Sequence, residues 1–212
     1  LMFTQNISFK NFLIKKKKLT IKKNLNLILN EKNQVISSLS KSYKDRFSKK
    51  SIKHLNKKFD YRIIGMGGST LGAQAIYDFL KPKIKKNFEF IDNLQPIRKK
   101  QDNKNYINFI ISKSGNTIET IANSNILIKK KDKNIFITEN KNNYLYLLAQ
   151  KLKAEIIHHN NYIGGRYSVL SEVGMLPAEL MGLNSKSFRQ FNNLIKNQKY
   201  LNALISNVGS TI

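Results

Sequence analysis

The stretch "NFIISKSGNTIET", residues 108–120, joins an apolar run to a helix-like pattern through a short polar seam. Ser112, Lys113, Ser114 and Thr117 bring hydroxyl and ammonium groups to this seam, and Gly115 permits an unusual backbone dihedral. A hydroxyl-rich turn that opens a helix favours an anion, because the first amides of the helix and its dipole face the ligand. The stretch therefore predicts a buried strand, an anion-binding turn and a helix in direct succession.

Apolar runs and helix-like segments alternate on both sides of this stretch. Five runs are typical of strands, at residues 61–66, 88–92, 106–112, 134–139 and 154–159. Helical spacing follows at 69–80, 117–130, 142–153, 171–183 and 186–206. The strand runs are apolar throughout, which is typical of strands covered on both faces. The pattern predicts an α/β fold, a parallel five-stranded sheet with helices on both faces, whose ligands bind beyond the carboxyl ends of the strands.

The first strand run also ends in a polar seam, "GMGGSTLG", residues 65–72. Gly65, Gly67 and Gly68 let the backbone turn tightly and approach a ligand, and Ser69 stands where the helix begins. The dinucleotide fingerprint G-x-G-x-x-G fails because Thr70 occupies its sixth position, and the P-loop fails because Ala-Gln follows the last glycine. The loop predicts phosphate binding, with a tight turn capped by a serine as the structural alternative.

The fifth strand run leads into a third seam, "NYIGGRYSVLSEVG", residues 161–174. Gly164 and Gly165 place Arg166 between the strand and the next helix. Arginine is planar and permanently charged, so it suits a phosphate or a developing oxyanion. The structural alternative is that Arg166 pairs with Glu172 or with a carbonyl oxygen.

Composition excludes several classes of protein. The 212 residues are 41% hydrophobic, contain no cysteine and include no apolar run of the roughly 20 residues that a membrane span needs. The net charge of +25 raises the possibility of nucleic-acid binding. We predict no nucleic-acid partner, because lysines are scattered over the chain and the basic segment 15–23 has no interleaved aromatics. We predict no metal, since His158 and His159 would point to opposite faces of a strand, and a cytoplasmic location by default.

The ends of the chain differ from its middle in composition and sequence pattern. Residues 1–58 are polar and mostly helical in pattern, and Leu25, Ile28 and Leu29 form part of an apolar stripe. We expect an N-terminal helical arm at 1–58, a ligand-binding domain at 59–183 and the helical start of a second, truncated domain at 184–212. The initial leucine and the final "SNVGSTI" suggest a fragment of a longer protein.

Together and in this order, "GMGGSTLG", "SKSGNTIET" and "GGRYSVLSEVGMLP" resemble the phosphoglucose isomerase family, and more broadly the SIS sugar-isomerase fold. The resemblance runs from about Tyr61 to about Leu183, and "FIDNLQP" (90–96) is similar to the family's second-strand segment. It implies an enzyme of glycolysis and gluconeogenesis that interconverts glucose 6-phosphate and fructose 6-phosphate through an enediolate. It also implies no cofactor, and a homodimer when full length.

The resemblance implies roles for particular residues. In the family the "SKSGNT" loop holds the sugar phosphate, the glycine and serine of the first loop touch the substrate, and the arginine of "GGR" stabilises the enediolate. The positions implied here are Ser112, Lys113, Ser114 and Thr117 for phosphate, Gly68 and Ser69 for substrate, and Arg166 with Gly165 beside it for the reacting carbons. Asn116 and Glu172 depart from the family, which more often has a threonine and a small residue there.

The family's proton-transferring glutamate, and its ring-opening histidine and lysine, lie well downstream of the "GGR" motif. We find no candidate for them after Arg166, and therefore expect weak phosphohexose binding and little or no isomerisation by this chain. The alternative is a non-catalytic SIS-type sugar-phosphate-binding domain. Another aldose–ketose isomerase of the same fold and a Rossmann-type nucleotide binder are further alternatives.

Overall fold

The computed structural model describes residues 18–55, 60–94, 105–129, 132–189 and 196–211. Several predictions concern residues outside these ranges: the first 17 residues of the arm, the domain boundary at 59, and the end of the "FIDNLQP" segment. Within the described ranges no helix combines the length and the apolar character needed to cross a membrane.

A parallel five-stranded sheet forms the centre of the fold and confirms the predicted α/β class. The spatial order is β2-β1-β3-β4-β5. The strands are β1 (Asp60–Gly65), β2 (Phe88–Ile91), β3 (Tyr106–Ile111), β4 (Lys133–Thr138) and β5 (Glu155–His158). Each begins and ends within a residue or so of its predicted bounds, because a continuous apolar run marks a strand that is buried on both faces.

Helices follow β1, β3, β4 and β5, as the sequence pattern indicates, and two helices precede the sheet. The helices are α1 (Lys18–Asn30), α2 (Gln34–Ser38), α3 (Leu71–Leu80), α4 (Ile118–Leu127), α5 (Tyr144–Leu152), α6 (Glu172–Leu180), α7 (Ser185–Phe188) and α8 (Gln198–Thr211). Short 3-10 helices cover Gly67–Ser69 and Gly165–Leu170. The segment 186–206, predicted to be helical, includes parts of two helices, since α7 ends at Phe188 and α8 begins at Gln198. The residue after Phe188, Arg189, is buried, and its Nε donates to the Ser38 carbonyl oxygen.

The two faces of the sheet pack against different helices. On one face Ile64, Ile110 and Phe136 form a buried cluster with Leu145 and Ala149 of α5, and α4 side chains pack against it. On the other face the Tyr61 ring stacks on Phe88 with centroids 4.7 Å apart. The ring of Tyr77, from α3, lies 5.4 Å from the Phe88 ring. The sheet is therefore doubly wound.

This topology determines where a ligand can bind. Strands β1 and β3 are neighbours, yet the chain leaves β1 for the β2 side and leaves β3 for the β4 side. The loops that follow β1 and β3 therefore diverge at the carboxyl edge and open a crevice there. In open α/β sheets, ligands bind at this kind of switch point.

The chain divides into two compact units. The sheet and its flanking helices lie in the unit Lys44–Ser185. The other unit comprises the described residues up to Tyr43 and from Lys186 onward. Within it α1 packs against α8, and the Arg189 guanidinium lies 5.0 Å from the centre of the Tyr43 ring. The division into an arm, a ligand-binding domain and a truncated second domain stays a prediction.

Candidate functional site at the carboxyl edge of the sheet

The first and second polar seams begin side by side. Gly65 at the end of β1 is in register with Ile111 at the end of β3. A Cβ on Gly65 would lie 2.9 Å from the Ile111 carbonyl oxygen, so glycine permits this close strand pairing. The turns that follow, residues 66–70 and 112–117, are named here loop A and loop B.

Loop A is a tight turn whose polar groups partly satisfy one another. Gly67 has a φ of +55°, a conformation that favours glycine. The Ser69 amide donates to the Met66 carbonyl oxygen at 3.1 Å, and Thr70 Oγ1 lies 3.2 Å from the Gly67 carbonyl oxygen. The N-cap of α3 is Thr70 rather than Ser69, so the predicted capping serine is not observed. Ser69 is half-buried at the carboxyl edge of the sheet.

Loop B carries a hydrogen-bonded set of hydroxyl groups. The buried Ser112 Oγ lies 2.9 Å from Thr117 Oγ1 and accepts the Gly115 amide at 3.2 Å. The exposed Ser114 accepts the Asn116 amide through its Oγ at 3.3 Å. Thr117 is the N-cap of α4, so the first amides of that helix open beside these hydroxyls. Rotatable hydroxyl groups and the first amides of a helix can together donate hydrogen bonds to the oxygens of a small anion.

Glycine is required in loop B for two reasons. Gly115 has a φ of +68°, and a Cβ on it would lie 1.9 Å from Asn143 Oδ1. Asn143 caps α5, since its Oδ1 accepts the Tyr146 amide. Asn116 has a similar structural role, because its Oδ1 accepts the Tyr144 amide at 3.0 Å. The sequence offered no signal for either asparagine beyond the general preference of asparagine for caps.

Loop C, residues 159–170, is the third seam, and it packs backbone to backbone on loop A. A Cβ on Gly68 would lie only 2.1 Å from the Gly165 carbonyl oxygen. Ser168 Oγ lies 2.9 Å from the Gly68 carbonyl oxygen and 2.7 Å from that of Gly165. Ser168 is buried and joins the two loops, a role that the sequence analysis missed. Its only signal was its place inside the "GGRYS" motif.

Lys113 connects loop B to loop C. Its Nζ donates to the Asn161 carbonyl oxygen at 2.7 Å and lies 3.4 Å from Glu139 Oε1. The ammonium group is therefore held between two loops rather than freely solvated. Because loop A touches loop C and loop C touches loop B, the three seams form one contiguous rim.

Arg166 stands at this rim with its side chain open to solvent. Arg166 and Gly165 are both exposed, and the Arg166 side chain makes no hydrogen bond or ion pair within the described part of the chain. The alternative pairing with Glu172 is not observed. Glu172 is fully buried and accepts the Asn160 amide at 2.6 Å. An open guanidinium can bind a ligand oxyanion without first breaking a protein contact.

The predicted site residues thus lie at one edge of the sheet, and the structure brings their three loops into contact. The hydroxyls of Ser112 and Thr117 hold each other, whereas Ser114 and Arg166 face solvent. An edge of this kind combines helix-terminal amides, hydroxyls and two cations. It is suited to a small, doubly charged anion.

Comparisons of sequence agree with this picture. The phosphoglucose isomerase family model matches residues 21–205. A glucose-6-phosphate isomerase from Methanocaldococcus jannaschii is 36% identical over 175 residues, covering 72% of this chain and 43% of that protein. The one from Acholeplasma laidlawii is 35% identical over 171 residues, covering 67% of this chain and 40% of that protein. The chain therefore spans about two fifths of the length of these curated relatives.

Solved structures share the fold. A hypothetical protein from Thermus thermophilus superposes with a TM-score of 0.65 at 19% identity, covering 90% of this chain and 51% of that chain. Tagatose-6-phosphate ketose/aldose isomerase from Escherichia coli superposes with a TM-score of 0.54 at 14% identity, covering 76% of this chain and 49% of that chain. At these identities the likeness concerns the fold alone.

Proposed function

The chain belongs to the phosphoglucose isomerase family, and on that premise we propose that loops A, B and C bind the phosphorylated hexose of an aldose–ketose isomerisation. The substrate pair is glucose 6-phosphate and fructose 6-phosphate. The fold at this edge is of the SIS type, and the full-length protein carries out the complete reaction in glycolysis and gluconeogenesis.

One observation carries the proposal: the three seams touch each other at the switch point of the sheet. Gly68 packs on Gly165, and Lys113 Nζ donates to the Asn161 carbonyl oxygen. A single small ligand can therefore reach all three loops.

Loop B binds the phosphate group in this proposal. Ser112, Ser114 and Thr117 donate hydroxyl hydrogen bonds, and the first amides of α4 add backbone donors. A phosphate monoester has three acceptor oxygens and a charge of about −1.5 to −2 near neutral pH, which this set of donors can satisfy. Lys113 adds a positive charge while it stays fixed between the loops.

Arg166 acts at the other end of the sugar. Isomerisation removes the proton from C2 and returns a proton to C1, while the carbonyl moves from C1 to C2, so the intermediate is an enediolate. A preorganised guanidinium beside the enediolate oxygen stabilises the charge that develops there. Gly165 lets the substrate approach the backbone closely, and Gly68 and Ser69 contact the substrate beside it.

The proton-transferring base is not assigned to any residue of this chain. Glu172 does not suit the role, because its carboxylate is fully buried and bonded to the Asn160 amide. A general base must reach the proton that it removes. We therefore expect the 212-residue chain to bind glucose 6-phosphate weakly and to turn it over little or not at all.

Calorimetric titration tests the binding proposal. Glucose 6-phosphate should bind the 212-residue chain more tightly than glucose or inorganic phosphate. Thr117→Val and Ser114→Ala should each weaken binding by about three- to tenfold, the usual net contribution of one hydrogen bond. Arg46→Ala is the matched control, since Arg46 is an exposed arginine outside the three loops. Equal binding of glucose and glucose 6-phosphate would overturn the proposal.

A planar, anionic analogue of the enediolate separates the enzyme from the alternative of a non-catalytic sugar-phosphate-binding domain. In an isomerase, Arg166→Ala should weaken binding of the analogue about tenfold or more beyond its effect on binding of glucose 6-phosphate, because the guanidinium acts on the intermediate. In a binding domain the substitution should weaken the binding of both ligands by the same factor. A coupled assay on the same chain should show little turnover, and ordinary turnover would contradict our expectation of incomplete catalysis.

A cytoplasmic location and a homodimeric full-length state belong to the same proposal. Both are expectations from the family resemblance and the composition. Cell fractionation and the mass of the full-length protein in solution test them.

A further inference from the structure

A buried acid–base pair lies behind Arg166 and has no part in the proposed reaction. Glu172 is the first residue of α6, 0% exposed, directly after the N-cap Ser171. A carboxylate in the first turn of a helix is favoured by the helix dipole. Its Oε1 accepts the Asn160 amide at 2.6 Å, while its Oε2 is buried and has no hydrogen-bond partner in the described part of the chain.

His159 is the other member of the pair and is 3% exposed. Its amide donates to the Thr138 carbonyl oxygen at 2.8 Å, which continues the β4–β5 pairing by one residue. Its Nδ1 lies 2.9 Å from the Asn160 carbonyl oxygen and 3.6 Å from Glu172 Oε1. Because a carbonyl oxygen only accepts, Nδ1 carries a hydrogen when it makes this bond.

These contacts hold the segment that leads to Arg166. Asn160 is held at its amide by Glu172 and at its carbonyl oxygen by His159. Further along, the Asn161 carbonyl oxygen accepts from Lys113 Nζ, and Ser168 Oγ bonds the Gly165 carbonyl oxygen. The backbone before the guanidinium is therefore anchored in part through the charged or titratable side chains of Glu172, His159 and Lys113. Local hydrogen bonds add to this, from the Tyr162 amide to Asn160 Oδ1 at 3.0 Å and from the Ile163 amide to the Asn160 carbonyl oxygen at 3.2 Å.

We propose that Glu172 and His159 are positioning residues for Arg166: the buried pair holds the segment 160–165, and its charge state sets where the guanidinium stands at the rim. The inference rests on the proposed function only in assigning ligand contact to Arg166. The anchoring of the segment is independent of any ligand.

The surroundings of His159 explain why charge matters here. Burial lowers the pKa of His159 below its ordinary value, and the Glu172 carboxylate opposes that shift. Lys113 from loop B also lowers this pKa, whereas Glu139 after β4 raises it. At neutral pH the imidazole is therefore neutral. Protonation at lower pH adds a proton at Nε2 and leaves a positively charged ring 3.6 Å from Glu172 Oε1. The ring then attracts the same carboxylate oxygen that accepts the Asn160 amide.

An NMR titration of the ligand-free 212-residue chain tests the anchoring. The imidazole of His159 should titrate below the ordinary histidine range, and the amides of Asn160 and Gly165 should move with it. Glu172→Gln keeps an acceptor oxygen but removes the charge, so the pKa of His159 should fall further and the Asn160 amide resonance should shift. His158→Asn is the matched control, because His158 is the exposed neighbour. If Glu172→Gln changes neither resonance, the proposal is wrong.

Glucose 6-phosphate binding between about pH 5 and about pH 8 tests the consequence for the site, across the range in which histidine titrates. The phosphate of the ligand itself titrates near pH 6, so wild type must be compared with a variant that cannot titrate at position 159. His159→Asn retains a donor near Nδ1 and should lose the extra weakening of wild type at low pH. Glu172→Ala should raise the dissociation constant about tenfold at neutral pH, and Glu172→Gln about threefold.

The NMR titration and the binding measurements can fail independently of each other. If wild type does not bind glucose 6-phosphate, the proposed function is overturned, and the ligand-free titration still decides the anchoring. If wild type binds and the profiles of His159→Asn and wild type coincide, the positioning role is overturned while the proposed function stands. Should Glu172→Ala fail to fold, Glu172→Gln gives the decisive comparison.

Discussion

At the scale of single residues, the glycines of loops A and C have unequal roles. The approach of Gly68 to Gly165 leaves no room for a side chain, since a Cβ on Gly68 would lie 2.1 Å from the Gly165 carbonyl oxygen. A Cβ on Gly164, one residue away, would meet nothing within 4 Å. The sequence presents Gly68 and Gly164 alike, each as one member of a Gly-Gly pair. Only the distance across the two loops distinguishes them.

Gly68→Ala should therefore damage the site, and Gly164→Ala should not. The added methyl group forces loops A and C apart. We expect a loss of about 1–3 kcal/mol in the free energy of unfolding, the usual cost of overpacking, together with weaker binding of glucose 6-phosphate. Gly164→Ala should stay within about 0.5 kcal/mol of wild type. Chemical denaturation and calorimetry measure both effects, and equal behaviour of the two variants would contradict the loop contact.

His159 makes a prediction about stability and pH. Its pKa is lowered in the folded protein, chiefly by burial, so below the ordinary histidine pKa of about 6.5 the unfolded chain binds more protons. Above about pH 6.5 the free energy of unfolding is not reduced by His159. As the pH falls from there toward the lowered pKa of His159, the free energy of unfolding decreases. Urea denaturation of wild type and His159→Asn across this range measures the difference. The variant should lose less stability, and parallel curves would refute the prediction.

At the scale of the elements, a polar row crosses the buried sheet. The register aligns Arg62 of β1 with Glu89 of β2 and Asn108 of β3, and it aligns Asn108 with Asn134 of β4. Arg62 Nε donates to Glu89 Oε2 at 2.8 Å, and Asn108 Nδ2 donates to Asn134 Oδ1 at 2.9 Å. A slip of one residue would place Arg62 opposite Phe88 or Phe90 of β2, and Asn108 opposite Tyr61 or Ile63 of β1. The row therefore helps to select one register.

The asparagine pair in this row should show strong coupling. Asn108→Leu leaves Asn134 Oδ1 without the donor that the structure provides, and should cost about 1–3 kcal/mol. The double variant Asn108→Leu with Asn134→Leu removes both partners and should cost less than the sum of the two single variants. A double-mutant cycle by denaturant unfolding measures the coupling. Additive losses would show that the hydrogen bond contributes little.

At the scale of the whole molecule, charge and division into units both bear on function. The net charge of +25 creates a positive field that attracts an anionic sugar phosphate and that salt weakens. Affinities of the wild type and its variants for glucose 6-phosphate are therefore comparable only at one ionic strength.

All three loops of the candidate site lie within the unit Lys44–Ser185, which also contains the entire sheet.

A shortened chain of residues 44–185 should accordingly fold and keep the binding site. Its core contains both packed faces of the sheet, so we expect one cooperative thermal transition and glucose 6-phosphate affinity within about threefold of the 212-residue chain, a difference of less than about 1 kcal/mol. Circular dichroism and calorimetry measure the two quantities. A shortened chain that unfolds without a transition would show that this unit depends on the rest of the protein.

Local patterns in the sequence were enough to predict the elements and the seams. Continuous apolar runs such as 106–111 mark buried strands, and glycine or hydroxyl residues such as Gly115 and Thr117 mark the turns that follow. Helix α7 ended earlier than predicted, because burial of Arg189 is a tertiary effect that no local pattern contains. Ser168 was missed for the same reason, since its partner Gly68 lies in another loop. The close approach of Asn143 to Gly115 is likewise tertiary, although its capping of α5 is local.

The sequence by itself determined the order of strands and helices and the chemistry of each seam, because these depend on neighbours along the chain. The tertiary structure decided which seams meet: Ser168 reaches Gly68 across 100 positions, and Lys113 reaches Asn161 across 48. It also decided that Glu172 is buried against Asn160 while Arg166 stays open. Such pairings depend on how strands and helices pack in space, and packing distances are not encoded in any local spacing of residues.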